Sequence, residues 1–191
     1  MTNIAIFASG RGSNAQAILE YLKGHEEISV KLILSNKKDA GVLLLADEYH
    51  IEKFVFNKSQ FNSEDIVLQK LKSLNIEVLV LAGFLWKIPS YLIQAYPERI
   101  INIHPSLLPK YGGKGMYGRH VHEAVYKNKD LESGITIHLV NEVYDDGKIL
   151  FQASKELEPT DEPSVIASKV LELEHFYFPR VIEAFIENAE D

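Results

Sequence analysis

The chain has 191 residues, 46% hydrophobic and 25% charged, with a formal net charge of −7. That acidic balance speaks against a broad nucleic-acid or anionic-membrane footprint, which needs a basic stripe, but leaves room for a small anionic ligand in a local site. There is no cysteine, so disulfides, thiolate metal sites and cysteine nucleophiles are excluded.

The N-terminal "MTNIAIFASG" lacks a basic region and has too short an apolar run for a signal peptide. No apolar stretch approaches the ~18–20 residues that span a bilayer. A cytoplasmic enzyme or binding domain, monomer or homodimer, is the expectation.

In chain order, strands are expected at 3–9, 29–35, 52–56, 76–82 and 99–103. All but the third are near-continuous Ile, Val, Leu and Phe, as in strands covered on both faces. Helices are expected between them at 14–23, 40–49, 62–74 and 89–96. Ser13 precedes the first and Gly24 follows it, Asn62 or Ser63 caps the third, and Pro89 opens the fourth. This alternation predicts a mostly parallel twisted sheet with helices on both faces.

Beyond residue 118 the pattern changes. A helix at 119–127 precedes two strand-like runs, 134–140 and 148–154, which read as a hairpin joined through "NEVYDDG". A closing helical region, 161–189, starts at Thr160 or Asp161 and is expected to kink or split at Pro179. No linker or repeat interrupts the chain, so one α/β domain is expected.

"FASGRGSNAQAIL" (7–19) sets Gly10 and Gly12 between the first strand and first helix. Gly10, Gly12 and Ala15 fit G-x-G-x-x-G/A, but a dinucleotide site wants an acidic residue closing the second strand. Here Ser35 and Asn36 stand there, followed by Lys37 and Lys38. Two readings remain open: a single phosphate held at Gly12, Ser13 and Asn14, or a tight turn with a polar helix cap.

"INIHPSLLPKYGG" (101–113) ends an apolar strand in an amide and an imidazole. Residues two apart on a strand share a face, so Asn102 and His104 project together, and Pro105 keeps His104 extended. An amide N–H can stabilise an oxyanion, and an imidazole can polarise the same oxygen or move a proton. The plain alternative is a strand cap and a loop anchor. Four histidines lie within 104–138, but His120 and His122 would not share a helix face, and no H-E-x-x-H pattern occurs. No metal is expected.

Together, "SGRGSN" (9–14), "VLAGF" (80–84), "NIHPSLLPKY" (102–111) and "HLVNEVYDDGKI" (138–149) resemble the folate-dependent formyltransferases, nearly to "EHFYFP" (174–179). The glycine loop matches the branch acting on glycinamide ribonucleotide. The resemblance implies a Rossmann-like fold across 1–191, with a mononucleotide-binding half (1–100) and a catalytic, folate-binding half (101–191). It implies a catalytic trio of Asn102, His104 and Asp145, with Asp146 a neighbour. It also implies two small-molecule substrates, 5-phosphoribosylglycinamide and 10-formyltetrahydrofolate, with no metal.

The ribonucleotide would meet Gly12, Ser13, Asn14 and, through its ribose, Glu174. The folate would lie along Leu85, Trp86, Lys87 and Ile88 and against Asn102, Asn141, Glu142, Val143, Tyr144 and Asp145. His138 and His122 also match family histidines, and a structurally paired core role for His138 stands beside a catalytic one. Trp86–Lys87 replaces a pair that often carries arginine, and Glu64 stands where some members are basic, which implies a different grip on the folate tail. The loop 111–120 is longer and richer in glycine than the usual turn, and is either a flap or a plain solvent loop. Among rivals, a tRNA formyltransferase would carry a further RNA-binding domain and a formyl-folate deformylase an extra N-terminal module. A non-catalytic nucleotide-binding module is the reading from a different class.

Overall fold

A computed structural model describes residues 1–188. Seven strands form one sheet in the order β3-β2-β1-β4-β5-β6-β7. They are β1 (Thr2–Phe7), β2 (Ile28–Ser35), β3 (Glu52–Val55), β4 (Val78–Leu81), β5 (Ile100–His104), β6 (Glu132–Leu139) and β7 (Ile149–Glu156). The first five run parallel, and β6 and β7 return antiparallel. The expected parallel sheet and terminal hairpin are both present.

Alternation along β1 shows why both faces are covered. Ile4 and Ile6 join one core with Ala15 and Ile18 of α1 (Ser13–Tyr21), Val42 and Ala46 of α2 (Val42–Glu48), and Val170, Phe178 and Ile182 of α7 (Pro163–Glu187). Ala5 and Phe7 point the other way. They meet Phe61 of α3 (Lys58–Asn62), Val67 and Leu71 of α4 (Ile66–Ser73) and Leu92 of α5 (Ser90–Ala95). On that second face Phe56 stacks on Phe61 at 4.9 Å and lies 6.1 Å from the Trp86 ring. This aromatic cluster pins the strap 84–88 that follows β4.

Three helix expectations are corrected. Gly12 occupies the position before α1, in the left-handed region at φ 86°, and Ser13 is already helical. A Cβ on Gly12 would sit 2.8 Å from Val42, so the turn needs glycine on two counts. The single helix expected at 62–74 is two, because Asn57 and Gln60 form a reciprocal cap that starts α3 early, and Ser63 turns extended and ends it. α7 starts at Pro163 and runs unbroken through Pro179, so neither Thr160 nor Asp161 caps it and no split occurs. It packs on α1, α6 (Arg119–Asn128), β5, β6 and β7, which offsets the roughly 3 kcal/mol a helical proline costs. The expected end at residue 189 lies outside the described residues. No described helix is long and apolar enough to cross a membrane.

Candidate active site

The chain passes from β1 outward to β2 and β3, then returns to place β4 on the other side of β1. Such a reversal leaves a crevice at the carboxyl ends of the strands, where α/β sheets take ligands. Here a cavity of about 1420 Å³ opens there, lined by Arg11 and Asn14 after β1, 83–88 after β4, and Asn102 and His104 of β5. The hairpin loop contributes Asn141 and 143–145, the segment 113–119 covers one side, and α7 contributes Glu174. The wall draws on both sides of the 100/101 boundary.

β5 and β6 set Asn102 opposite His138. His138 Nδ1 lies 2.8 Å from the Leu139 carbonyl, which only accepts, so that nitrogen carries the proton and Nε2 is bare. Asn102 Nδ2, 3.1 Å from Nε2, donates to it. This arrangement fixes the amide's orientation and leaves one N–H for the cavity. The core-pairing reading of His138 describes its Nδ1, whereas Nε2 meets Asn102 and also lies 3.7 Å from Asp145 Oδ1, so the ring belongs to the cavity as well as to the core.

His104 is 4% exposed, and its Nε2 donates to the Tyr111 carbonyl at 2.7 Å. Its Nδ1 faces the Asp145 carboxylate at 3.7 Å, too long for a direct hydrogen bond and short enough for strong charge coupling. Both ring nitrogens thus face acceptors, an environment that suits an imidazolium. Burial nonetheless holds the resting pKa below its ordinary value, against the opposing pull of Asp145 and the Tyr111 carbonyl. Asp145 stands in the left-handed region at φ 54° and accepts from the Gly113 amide at 2.8 Å. Burial alone would raise its pKa, but His138, His104 and Gly113 outweigh that and hold it low, so it is a carboxylate.

The expected trio therefore converges. The glycine-rich segment is tied by its backbone to both His104 and Asp145. These contacts, through the Tyr111 carbonyl and Gly113 amide, carry no sequence signal, because any residue has the same groups.

Also on the cavity lining, Asn14 Nδ2 donates to Glu174 Oε2 at 2.6 Å. Glu174 is 8% exposed, and burial pushes its pKa up despite that bond. Gly12 and Ser13 do not line the main cavity, and Ser13 opens on a smaller recess with Gln16, Glu20 and His175. Leu85, Trp86, Lys87, Ile88, Asn141, Val143 and Tyr144 all line the main cavity. Glu142 does not, and instead accepts from the Ser90 hydroxyl at 2.9 Å. Among the described residues, one group has metal-ligand spacing, His25, Glu183 and Glu187, and none of its members lines this cavity. His25 Nδ1 accepts from the Glu27 and Ile28 amides, so its Nε2 carries the proton and donates to Glu183 at 3.1 Å. That tautomer is a donor, not a ligand.

Residues 2–182 match the family described as formyl transferase. The chain belongs to that family. Members of this formyl transferase family use a formyl-folate cosubstrate. The chain is 40% identical over 190 residues to the chloroplastic phosphoribosylglycinamide formyltransferase of Arabidopsis thaliana, covering 96% of this chain but only 65% of that protein. The enzyme of that name from Bacillus subtilis (strain 168) is 35% identical, covering 97% of this chain and 95% of its own length. The crystal structure of phosphoribosylglycinamide formyltransferase from Bacillus halodurans superimposes with a TM-score of 0.89 at 32% identity, covering 98% and 97% of the two chains.

Proposed function

We propose that this formyl transferase moves the formyl group of 10-formyltetrahydrofolate to the primary amine of 5-phosphoribosylglycinamide, a step of purine synthesis. The observation that carries the reading is the convergence of Asn102, His104 and Asp145 on a cavity that Asn14 and Glu174 also line. The ribonucleotide phosphate takes the glycine loop at Gly12, Ser13 and Asn14, and the ribose hydroxyls take Glu174. The folate lies along 85–88 and against 141–145. No macromolecular partner is needed, and the setting is cytoplasmic.

The free amine attacks the formyl carbon, a C–N bond forms, and the carbonyl pair moves onto oxygen. The remaining N–H of Asn102 donates to that oxygen. The amine proton passes to His104 Nδ1, directly or through a water held by Asp145. The imidazolium so formed has its two N–H groups facing the Asp145 carboxylate and the Tyr111 carbonyl. The proton then reaches N10 of the folate as its bond to the formyl carbon breaks and the carbonyl reforms.

A spectrophotometric assay with the ribonucleotide and a formyl-folate tests this. Turnover that depends on both substrates is expected. Folate turnover without the ribonucleotide would point to deformylation, and binding of a phosphate ligand without turnover to a non-catalytic module.

A further inference from the structure

A neutral His104 can take a proton only at whichever ring nitrogen is bare, and two acceptors compete for the one proton it carries. Nε2 lies 2.7 Å from the Tyr111 carbonyl, and Nδ1 lies 3.7 Å from the Asp145 carboxylate. A carboxylate is the stronger acceptor of the two. The proton therefore stays on Nε2 only while the carbonyl is held at bonding distance and the carboxylate beyond it. Asp145 is itself drawn back by the Gly113 amide at 2.8 Å.

Any residue would bring a carbonyl to position 111, but tyrosine also brings a hydroxyl. That hydroxyl donates to Asp130 Oδ2 at 2.8 Å and accepts from Asn128 Nδ2 at 2.7 Å. Asn128 ends α6, and Asp130 lies just beyond it. The clamp holds Tyr111 in the left-handed region at φ 56°, which an unconstrained tyrosine avoids. Upstream, the Leu108 amide donates to the Thr136 hydroxyl oxygen at 2.9 Å and the Ser106 hydroxyl donates to the Lys110 carbonyl at 2.6 Å. Downstream come Gly112 and Gly113, which bring no side chain to anchor the turn. Tyr111, Asn128 and Asp130 do not line the main cavity, so what the clamp does for the reaction it does through His104 and Asp145.

We infer that Tyr111 is a positioning residue: its hydroxyl, clamped by Asp130 and Asn128, keeps its carbonyl on His104 Nε2 and so selects the tautomer whose bare Nδ1 takes the amine proton. This role rests on the formyl-transfer reading above. With the clamp released, the carbonyl drifts from Nε2 and the ring proton moves to Nδ1, toward the carboxylate. No lone pair then faces the amine.

The test has two readouts on the full chain, with thermal midpoints measured alongside. One is steady-state kinetics with 5-phosphoribosylglycinamide and 10-formyltetrahydrofolate. The other is the tautomer of His104 without substrate, read from the nitrogen shifts of histidine-labelled protein at about pH 8, where histidines are neutral. The His104 signals are assigned by their loss in His104→Gln. Tyr111→Phe and Asp130→Ala are each expected to lower kcat about 10-fold with KM for both substrates held, and to shift His104 from Nε2–H toward Nδ1–H. Asp130→Asn keeps an acceptor for the hydroxyl and is expected within about threefold of the parent, with the parent tautomer. The double variant Y111F/D130A is expected to fall no further than either single one, because both break the same bond. Parent-like kcat in Y111F, a loss of kcat with the tautomer unmoved, D130N as impaired as D130A at equal thermal midpoint, or losses that multiply in the double variant each overturns the role. If Y111F does not fold, D130A and D130N decide by the same two readouts. A parent protein that turns over no ribonucleotide overturns the reaction itself, while the His104 tautomer still reports whether the clamp sets it.

Discussion

Asn102 and His138 are joined across β5 and β6 by a 3.1 Å bond whose direction is set one step further away, at the Leu139 carbonyl. Because His138 Nε2 can only accept, the Asn102 amide cannot turn its oxygen toward that ring without facing lone pair to lone pair. The Asn102 amide, proposed above as the oxyanion donor, is thus held by His138, which lines the same cavity. Asn102→Ala should lower turnover about 10²–10³-fold with substrate affinities little changed, the loss expected for one oxyanion donor. His138→Leu should lower kcat roughly tenfold, since the amide remains but is free to turn. Comparing kcat and KM of the two variants checks both, and unchanged kcat in the His138 variant would remove its orienting role.

Asp145 is the only carboxylate facing His104 in the described network, at 3.7 Å. Asp145→Asn removes the charge that favours the imidazolium, while burial continues to press the ring toward neutrality. Turnover should fall by about 10²-fold or more, as for loss of a partner in proton transfer. A turnover assay at fixed pH reads this, and activity within a few-fold of the parent would leave Asp145 no part in proton transfer.

His104, His122 and His175 all have pKa values lowered mainly by burial. Below the unfolded histidine value of about 6.5 the unfolded chain binds more protons than the folded one, so stability falls as pH falls through that value. Glu174 acts in the opposite sense. Its raised pKa means that the folded chain holds the proton more tightly, so its contribution is full below the unfolded carboxyl value and is lost as pH rises through the folded one. Urea midpoints for the parent should therefore drop between pH 7 and pH 5. Glu174→Gln should keep the bond from Asn14, hold or gain stability at pH 7, and raise KM for the ribonucleotide roughly tenfold. A Glu174→Gln protein less stable at pH 7 than the parent would contradict the buried-carboxyl account.

Gly147 closes the loop that carries Asp145. A Cβ there would lie 1.7 Å from the Leu139 carbonyl oxygen, beside the irregularity in β6–β7 pairing at Ile137/His138. The obstacle is backbone, so it cannot rotate away. Gly147→Ala should destabilise the fold by about 1–3 kcal/mol or more and lower turnover by displacing Asp145. Denaturant midpoints and kcat measured together check this, and a parent-like variant would show that the hairpin yields more freely than its packing indicates.

Local pattern determined a good part of this protein. Period-two and near-continuous apolar runs marked the strands, and spacing along one strand put Asn102 and His104 on a common face, because side-chain direction in a strand alternates regardless of what surrounds it. The unbroken course of α7 through Pro179 and the split between α3 and α4 were not legible in that way. Pro179 breaks helices locally and is overruled here by the packing of α7 on α1, α6, β5, β6 and β7, and the cap that starts α3 lies upstream of the apolar stripe that suggested a helix. Tertiary structure alone decided that His138 would orient Asn102, that the Tyr111 carbonyl and Gly113 amide would hold His104 and Asp145, and that Glu142 would turn away to Ser90. These contacts join residues 7 to 52 positions apart through cross-strand register and loop backbone, and a single sequence records side chains but not which carbonyls and amides they will meet.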